Sequence, residues 1–183
     1  MYEGFYGLQE RPFALLPDPS FLYLSKGHST ALTLLRYSIM NRQGFTVVSG
    51  EVGSGKTTLI NRLLEEMKHG VTVGLINFTT RSFGEMAEWI MMAYGLPYKN
   101  KSKVELYEDF VQFMIREYAA GRPVVLIVDE AQNLGIRGLE EIRMLSNVNA
   151  QKDHLLHVIL VGQPELRSLL QAPQLRQLTQ RVS

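Results

Sequence analysis

The stretch GEVGSGKTT, residues 50–58, decides the fold class. Gly50, Gly55, Lys56 and Thr57 complete the pattern G-x-x-x-x-G-K-[ST] of a phosphate-binding loop, the P-loop. Glycines permit backbone conformations that point successive N–H groups at phosphate oxygens, the lysine reaches the β- and γ-phosphates, and the threonine hydroxyl can ligate Mg²⁺. The predicted nucleotide-binding residues are Gly50, Glu51, Val52, Gly53, Ser54, Gly55, Lys56, Thr57 and Thr58.

The surroundings of the loop favour this interpretation over an ordinary glycine-rich turn. The β-rich run FTVVS, residues 45–49, precedes the loop, and an amphipathic helix is predicted over residues 57–67. A strand before and a helix after the loop are the context that the motif requires. The positive end of that helix dipole would also favour an anion.

A second predicted site follows the most apolar run of the chain, VVLIV at residues 124–128. Asp129 and Glu130 come directly after it, and ligands of open α/β sheets bind at the carboxyl ends of strands. We expect Asp129 to hold Mg²⁺, mostly through water, and Glu130 to polarise an attacking water. The alternative is an acidic pair that only meets solvent. A glutamate beside the Mg²⁺ aspartate favours ATP hydrolysis over phosphoryl transfer to a metabolite.

Strands and helices alternate along the sequence, and the strands are continuously apolar, which predicts a parallel sheet covered on both faces. The expected architecture is a three-layer α/β sandwich of the P-loop type. An N-terminal arm is predicted over residues 1–24 and the nucleotide-binding core over residues 25–183. The first predicted helix, residues 25–40, places Ala31, Leu34, Leu35 and Ile39 on one face. Predicted strands are 45–49, 71–77, 124–128 and 155–161; predicted helices are 25–40, 57–67, 83–94, 104–120, 137–148, 165–170 and 174–180.

The composition excludes several classes. The 183 residues include 19 basic and 18 acidic side chains, for a net charge of +1, so no global field attracts nucleic acid or an anionic membrane. The chain contains no cysteine, which excludes disulfides and thiolate metal sites and fits a cytoplasmic location. No apolar run approaches the ~20 residues of a membrane span, and the N-terminus lacks the apolar region of a signal peptide.

The sequence resembles the AAA+ ATPases of the ExeA/GspA type, which are associated with bacterial secretion and surface-assembly systems. The resemblance rests on PFALLPDPSFLYLS followed by His28, on GFTVVSGEVGSGKTTL, on VVLIVDEAQNL, on LEEIRMLSN, and on LLHVILVGQPELRSLL followed by LRQLTQRVS. The P-loop and Asp-Glu motifs are generic, whereas DEAQNL, LSN and GQPEL together are specific.

This resemblance implies further roles. Asn77 ends the second predicted strand, where such proteins often carry a polar residue that restrains the catalytic glutamate; an ordinary strand-end asparagine is the alternative. Gln163 lies at the polar sensor position near the γ-phosphate. Arg181 lies where the family places an arginine finger that acts on the ATP of a neighbouring subunit, and Arg176 is the second choice for that role.

The resemblance also predicts an Mg²⁺-dependent ATPase that works as a ring or dimer and serves envelope or secretion machinery. A further core strand and a helical lid are expected beyond residue 183, and membrane contact only through segments absent from this chain. Preference for ATP over GTP comes from the family alone. Two alternatives stay open: a DNA-transaction ATPase of the transposition or origin-binding type, and a nucleotide-gated switch with negligible turnover.

Overall fold

A computed structural model describes residues 5–7, 24–67, 70–77, 85–150 and 153–182, and helices alternate with strands along them. The strands are β1 (Phe45–Ser49), β2 (Thr72–Asn77), β3 (Val124–Asp129), β4 (Asn149–Ala150), β5 (Asp153–His154) and β6 (Leu156–Gly162). The helices are α1 (Lys26–Met40), α2 (Lys56–Glu66), α3 (Met86–Ala93), α4 (Lys103–Ala119), α5 (Gly135–Leu145), α6 (Pro164–Leu170) and α7 (Arg176–Thr179). Single 3₁₀ turns precede α5 at Ala131–Leu134 and α7 at Pro173–Leu175.

The central sheet has four strands in the order β1-β6-β3-β2, and all neighbours are parallel. This confirms the predicted parallel sheet. Because the strands are parallel, their carboxyl ends meet at one edge: Ser49 is level with Gly162, and Asn77 is level with Asp129. The loops that follow these strands therefore lie side by side.

Two apolar clusters cover the two faces of the sheet, as a three-layer sandwich requires. Val125 and Ile127 of β3 face the cluster made with α1 and α2, whereas Leu126 and Val128 face the cluster made with α3, α4 and α5. Every residue of β3 is buried, which explains why this strand reads as an unbroken apolar run in the sequence.

Some local predictions were wrong. Leu34 was expected on the buried face of α1, but its side chain is 59% exposed, and Leu32 is buried instead. The helix predicted over residues 104–120 begins one residue earlier, at Lys103, because Ser102 and Glu105 form a capping box. The short antiparallel hairpin of β4 and β5 was not predicted, since strands of two residues are too short to show an alternation of apolar and polar side chains.

The arm over residues 1–24 lies outside the described residues except for 5–7 and 24, and so does the predicted start of a helix at residue 83. Within the described part of the chain, no helix has both the length and the apolar character needed to cross a membrane.

The amino edge of the sheet, opposite the P-loop, holds the buried imidazole of His157. Its Nδ1–H donates to the carbonyl oxygen of Gln43, and its Nε2 lies 3.3 Å from Ser38 Oγ and 3.5 Å from Thr46 Oγ1. Burial lowers the pKa of His157 to about 4, because desolvation disfavours the charged ring. The ring is therefore neutral near pH 7.

Candidate active site

The loop between β1 and α2 has the backbone conformation that the P-loop pattern predicts. Gly53 and Gly55 have φ of 76° and 82°, in the left-handed region where a side chain is strained. The loop is closed by a hydrogen bond from Ser54 N to Glu51 O at 3.1 Å, and Gly55 caps the N-terminus of α2. Backbone N–H groups at such a turn and at a helix N-terminus suit an anion.

The ammonium of Lys56 reaches back over the loop. Its Nζ donates to Gly50 O at 2.7 Å and to Glu51 O at 2.9 Å. Both acceptors are neutral carbonyl oxygens of the loop itself. Charge-assisted hydrogen bonds to phosphate are stronger than bonds to neutral carbonyls, so a phosphate can replace these two partners.

Side chains that follow two different strands meet beside the loop. Thr57 Oγ1 donates to Asp129 Oδ2 at 3.1 Å, although the two residues are 72 positions apart in sequence. Asp129 is buried and ends β3, whereas Thr57 lies in the first turn of α2. A hydroxyl and a carboxylate are the hard oxygen ligands that Mg²⁺ prefers, with the rest of its shell filled by water and phosphate oxygens. These residues therefore fit the predicted ion.

Glu130 adopts a left-handed backbone conformation with φ of 54°, which costs roughly 1–2 kcal/mol for a residue with a side chain. Two hydrogen bonds hold it there: its N–H donates to Asp129 Oδ1 at 2.9 Å, and its carbonyl accepts from Asn133 N at 2.9 Å. The strain is thus located at the residue that was predicted to act on water.

Two glutamine amides hold the carboxylate of Glu130. Gln132 Nε2 donates to Glu130 Oε2 at 2.5 Å, and Gln163 Nε2 donates to the same oxygen at 3.2 Å. The two glutamines are themselves connected, because Gln163 N donates to Gln132 Oε1 at 3.2 Å. Gly162 makes room for this arrangement, since a Cβ there would lie 2.6 Å from Gln132 Oε1.

Other predicted site residues lie elsewhere. Asn77 is at the same edge of the sheet, level with Asp129, but it is exposed and makes no hydrogen bond to Glu130 in the described structure. Arg181 lies at the opposite edge: its guanidinium donates to Asn147 Oδ1, and the next residue, Val182, bridges to Phe45 at the start of β1. Arg176 is exposed at the start of α7.

Sequence reasoning missed two residues that contact the site. Its position two residues after Glu130 could have marked Gln132 as a neighbour of the site, but the contact of its amide with the carboxylate depends on the 3₁₀ turn. His28 was noticed as part of a motif, without a role. Its Nε2 lies 2.8 Å from the carbonyl oxygen of Ser54 in the P-loop, across 26 residues. Only the packing of α1 beside the loop reveals that contact.

The P-loop, the carboxylates after β3 and the parallel sheet together define a P-loop nucleotide-binding protein. Residues 39–170 match the family profile described as an AAA domain, and the chain belongs to the AAA family. Over its whole length the chain is 38% identical to general secretion pathway protein A of Aeromonas hydrophila, of which it spans 34%. These findings confirm the predicted family.

Solved structures show the same fold. The ORC2 protein of Aeropyrum pernix, in ADPNP–ADP complexes, matches 93% of this chain with a TM-score of 0.60 and 18% identity. Cdc6p of Pyrobaculum aerophilum matches 92% with a TM-score of 0.60 and 21% identity. The chain spans 49% of each of these structures. At these identities the likeness concerns the fold alone.

Proposed function

We propose that this chain binds ATP with Mg²⁺ and hydrolyses it. The observation that carries the proposal is the 3.1 Å hydrogen bond between Thr57 Oγ1 and Asp129 Oδ2. It joins the P-loop to the acidic pair, so the phosphate-binding groups and the candidate general base share one edge of the sheet. Membership of the AAA family supports the same activity.

The chain's own residues divide the work between phosphate binding and water activation. The N–H groups of residues 50–58 and the ammonium of Lys56 bind the phosphates and stabilise the charge that develops during transfer. Thr57 would hold Mg²⁺ through its hydroxyl and Asp129 through water; the ion would supply further charge neutralisation. Glu130 would orient the attacking water, and Gln163 would sense the γ-phosphate.

The glutamine contacts of Glu130 support a restrained resting state. The two amide donors occupy both lone pairs of Glu130 Oε2, so this oxygen cannot accept a hydrogen bond from water in the same arrangement. Water could then bind the carboxylate only at Oε1, and release of at least one amide would free Oε2 as well. Asn77, which ends β2 at the same edge, remains a proposed contributor to this control through its position alone.

We also propose that copies of the chain act on one another. Arg181 lies at the amino edge of the sheet, whereas the P-loop follows the carboxyl end of β1. The guanidinium, which donates to Asn147, therefore lies at the opposite edge of the sheet from its own P-loop, and an arginine finger on this segment would serve a neighbouring copy in a dimer or ring. Arg176 is the second choice. Fingers of this kind contribute ~10³–10⁵ in rate.

The biological setting is proposed from the curated relative. Similarity to general secretion pathway protein A over the whole chain supports ATP-driven assembly or export of a bacterial envelope or secretion structure, at the cytoplasmic side where ATP is available. We take residues 25–183 as the nucleotide-binding core that would serve this role. The near-neutral charge of +1 does not favour DNA as a partner.

ATP hydrolysis measured with Mg²⁺ across a wide range of protein concentration tests the proposal, with Lys56→Ala as the blank. We expect specific activity to rise with concentration and the blank to be silent. Mixing Glu130→Gln with Arg181→Ala then tests the finger. Each variant alone would be inactive, but a mixed pair contains one site with both an intact Glu130 and a neighbour's Arg181, so activity would return. Wild-type protein as silent as the blank at every concentration would contradict the hydrolytic proposal for this chain.

A further inference from the structure

A contact between α1 and the P-loop has no part in the roles assigned so far. The half-buried imidazole of His28, in the first turn of α1, lies with Nε2 2.8 Å from Ser54 O. A carbonyl oxygen can only accept a hydrogen bond, so Nε2–H must donate. The contact therefore fixes a proton on Nε2 and holds the Ser54 carbonyl on the α1 side of the loop.

The peptide that His28 holds carries one of the candidate phosphate donors. A trans peptide is planar, with its C=O and N–H pointing in opposite directions. The carbonyl of Ser54 and the N–H of Gly55 belong to one peptide plane. When His28 fixes the carbonyl towards α1, the Gly55 N–H must point in the opposite direction, away from α1. Gly55 has φ of 82° and stands directly before α2, where inward N–H groups bind anions.

Ser25 holds the imidazole in this orientation. Ser25 Oγ lies 3.0 Å from His28 Nδ1 and also accepts from His28 N at 3.3 Å. With the Nε2–H donating to Ser54 O, the Ser25 hydroxyl can donate to Nδ1 while its lone pair accepts the backbone N–H. Ser25 thus caps α1 and orients the ring at the same time. The ring also lies close to Gly55, where a Cβ would be 3.2 Å from Nε2.

We infer that His28, supported by Ser25, is a positioning residue of the phosphate site: it sets the direction of the Gly55 N–H. This inference rests on the proposed nucleotide binding and adds a residue 22 positions before the P-loop to it. His28 does not contact the phosphate in this scheme. It keeps the peptide between Ser54 and Gly55 in its binding orientation before the ligand arrives, which reduces the entropic cost of ordering the loop on binding.

Binding measurements on the full 183-residue chain test the inference. Isothermal titration with ATP and Mg²⁺, and separately with pyrophosphate, compares wild type, His28→Phe and His28→Gln. Pyrophosphate has neither base nor ribose, so its affinity reports the loop alone. His28→Phe keeps a ring but removes the donor, whereas the amide of His28→Gln restores an N–H at a similar reach. Losing one hydrogen bond should weaken both ligands ~3–10-fold in His28→Phe, with His28→Gln within about twofold of wild type.

Each outcome decides between support and rejection. Equal affinities for wild type and His28→Phe would overturn the inference, and so would a His28→Gln variant as weak as His28→Phe, because the ring and not the donor would then matter. His28→Met, which is smaller and has no donor, gives the same comparison if the phenyl ring disturbs folding. Lys56→Ala distinguishes a failure of this inference from a failure of the proposed nucleotide binding. If wild type binds neither ligand, nucleotide binding fails and the inference fails with it. If binding is lost in Lys56→Ala but unchanged in the His28 variants, only the role of His28 is rejected.

Discussion

The two edges of the central sheet treat their polar side chains in different ways. At the amino edge, the His157 imidazole is 2% exposed and its nitrogens face a carbonyl and two hydroxyls of the protein. At the carboxyl edge, Lys56 and Glu130 are more exposed, and their partners are carbonyls and amides that a ligand or a rotation can replace. The first edge uses polar groups to fix the packing of β1 and β6, and the second keeps charges available for chemistry.

This difference predicts that substitutions at the carboxyl edge change ATP hydrolysis or binding and leave the free energy of unfolding nearly unchanged. The largest effect is expected for Glu130→Gln, which should lower turnover ~10²–10⁴-fold through loss of the general base. The Kd for ATP should stay within about twofold, because the carboxylate does not bind phosphate. Single-turnover hydrolysis and titration measure the two quantities. Glu65→Gln, an exposed carboxylate of α2, is the control, and undiminished hydrolysis by Glu130→Gln would remove Glu130 from its role.

Within the same edge, Lys56→Ala should act on binding. Removing an ammonium that makes charge-assisted hydrogen bonds to phosphate should raise the Kd for ATP roughly 10- to 100-fold. The free protein should lose little stability, because both present acceptors are carbonyls of the open loop. Calorimetry gives the affinity and thermal unfolding the stability. Lys103→Ala removes an exposed lysine paired with Glu85 and should change neither; a large loss of unfolding temperature in Lys56→Ala would contradict this division.

The amino edge should show the reverse, an effect of acid on stability. The pKa of His157 is about 4 in the folded protein and about 6.5 in an unfolded chain. Between these values the unfolded state binds more protons, so stability is full above about pH 6.5 and falls as the pH drops towards 4. The loss attributable to His157 reaches about 2 kcal/mol at pH 5.

Urea unfolding between pH 4 and 7 measures this loss. His157→Asn keeps an N–H donor near the position of Nδ1 but cannot titrate, so its stability should depend less on pH than that of wild type. His154, whose pKa is lowered by burial and by the nearby Arg181, is present in both proteins. If the free energy of unfolding falls equally with pH in wild type and His157→Asn, the buried ring is not the source of the acid destabilisation.

The same comparison explains what the sequence could predict. The P-loop is continuous over residues 50–58, and the order of its glycines, lysine and threonine is itself the motif, so the sequence alone predicts Lys56 and Thr57 as site residues. The unbroken apolar run of β3 identified a strand buried on both faces and marked Asp129 and Glu130 at its end. Both motifs consist of consecutive residues, so they can be recognised without knowledge of the fold.

Contacts between distant segments could not be found in this way. His28 meets Ser54, and Gln163 meets Glu130, only because α1 packs beside the loop and β6 pairs with β3. The exposure of Leu34 has the same origin: helical spacing allowed it on the apolar face, but the direction in which α1 packs on the sheet decides which residues are covered. No pattern along the chain records that direction.

Gln132 offers the smallest effect and the sharpest test of the restrained glutamate. Gln132→Met keeps the length of the side chain and removes both the amide N–H that donates to Glu130 Oε2 at 2.5 Å and the amide oxygen that accepts from Gln163 N. If that bond restrains the carboxylate, its loss should raise kcat ~3–10-fold, the value of one hydrogen bond, while KM for ATP stays unchanged. Steady-state hydrolysis measures both constants, with Gln180→Met on the exposed segment after α7 as the control. A lower kcat would mean that the Gln132 amide holds Glu130 in the position from which it acts on water. Hydrolysis would then not require release of that amide from the carboxylate.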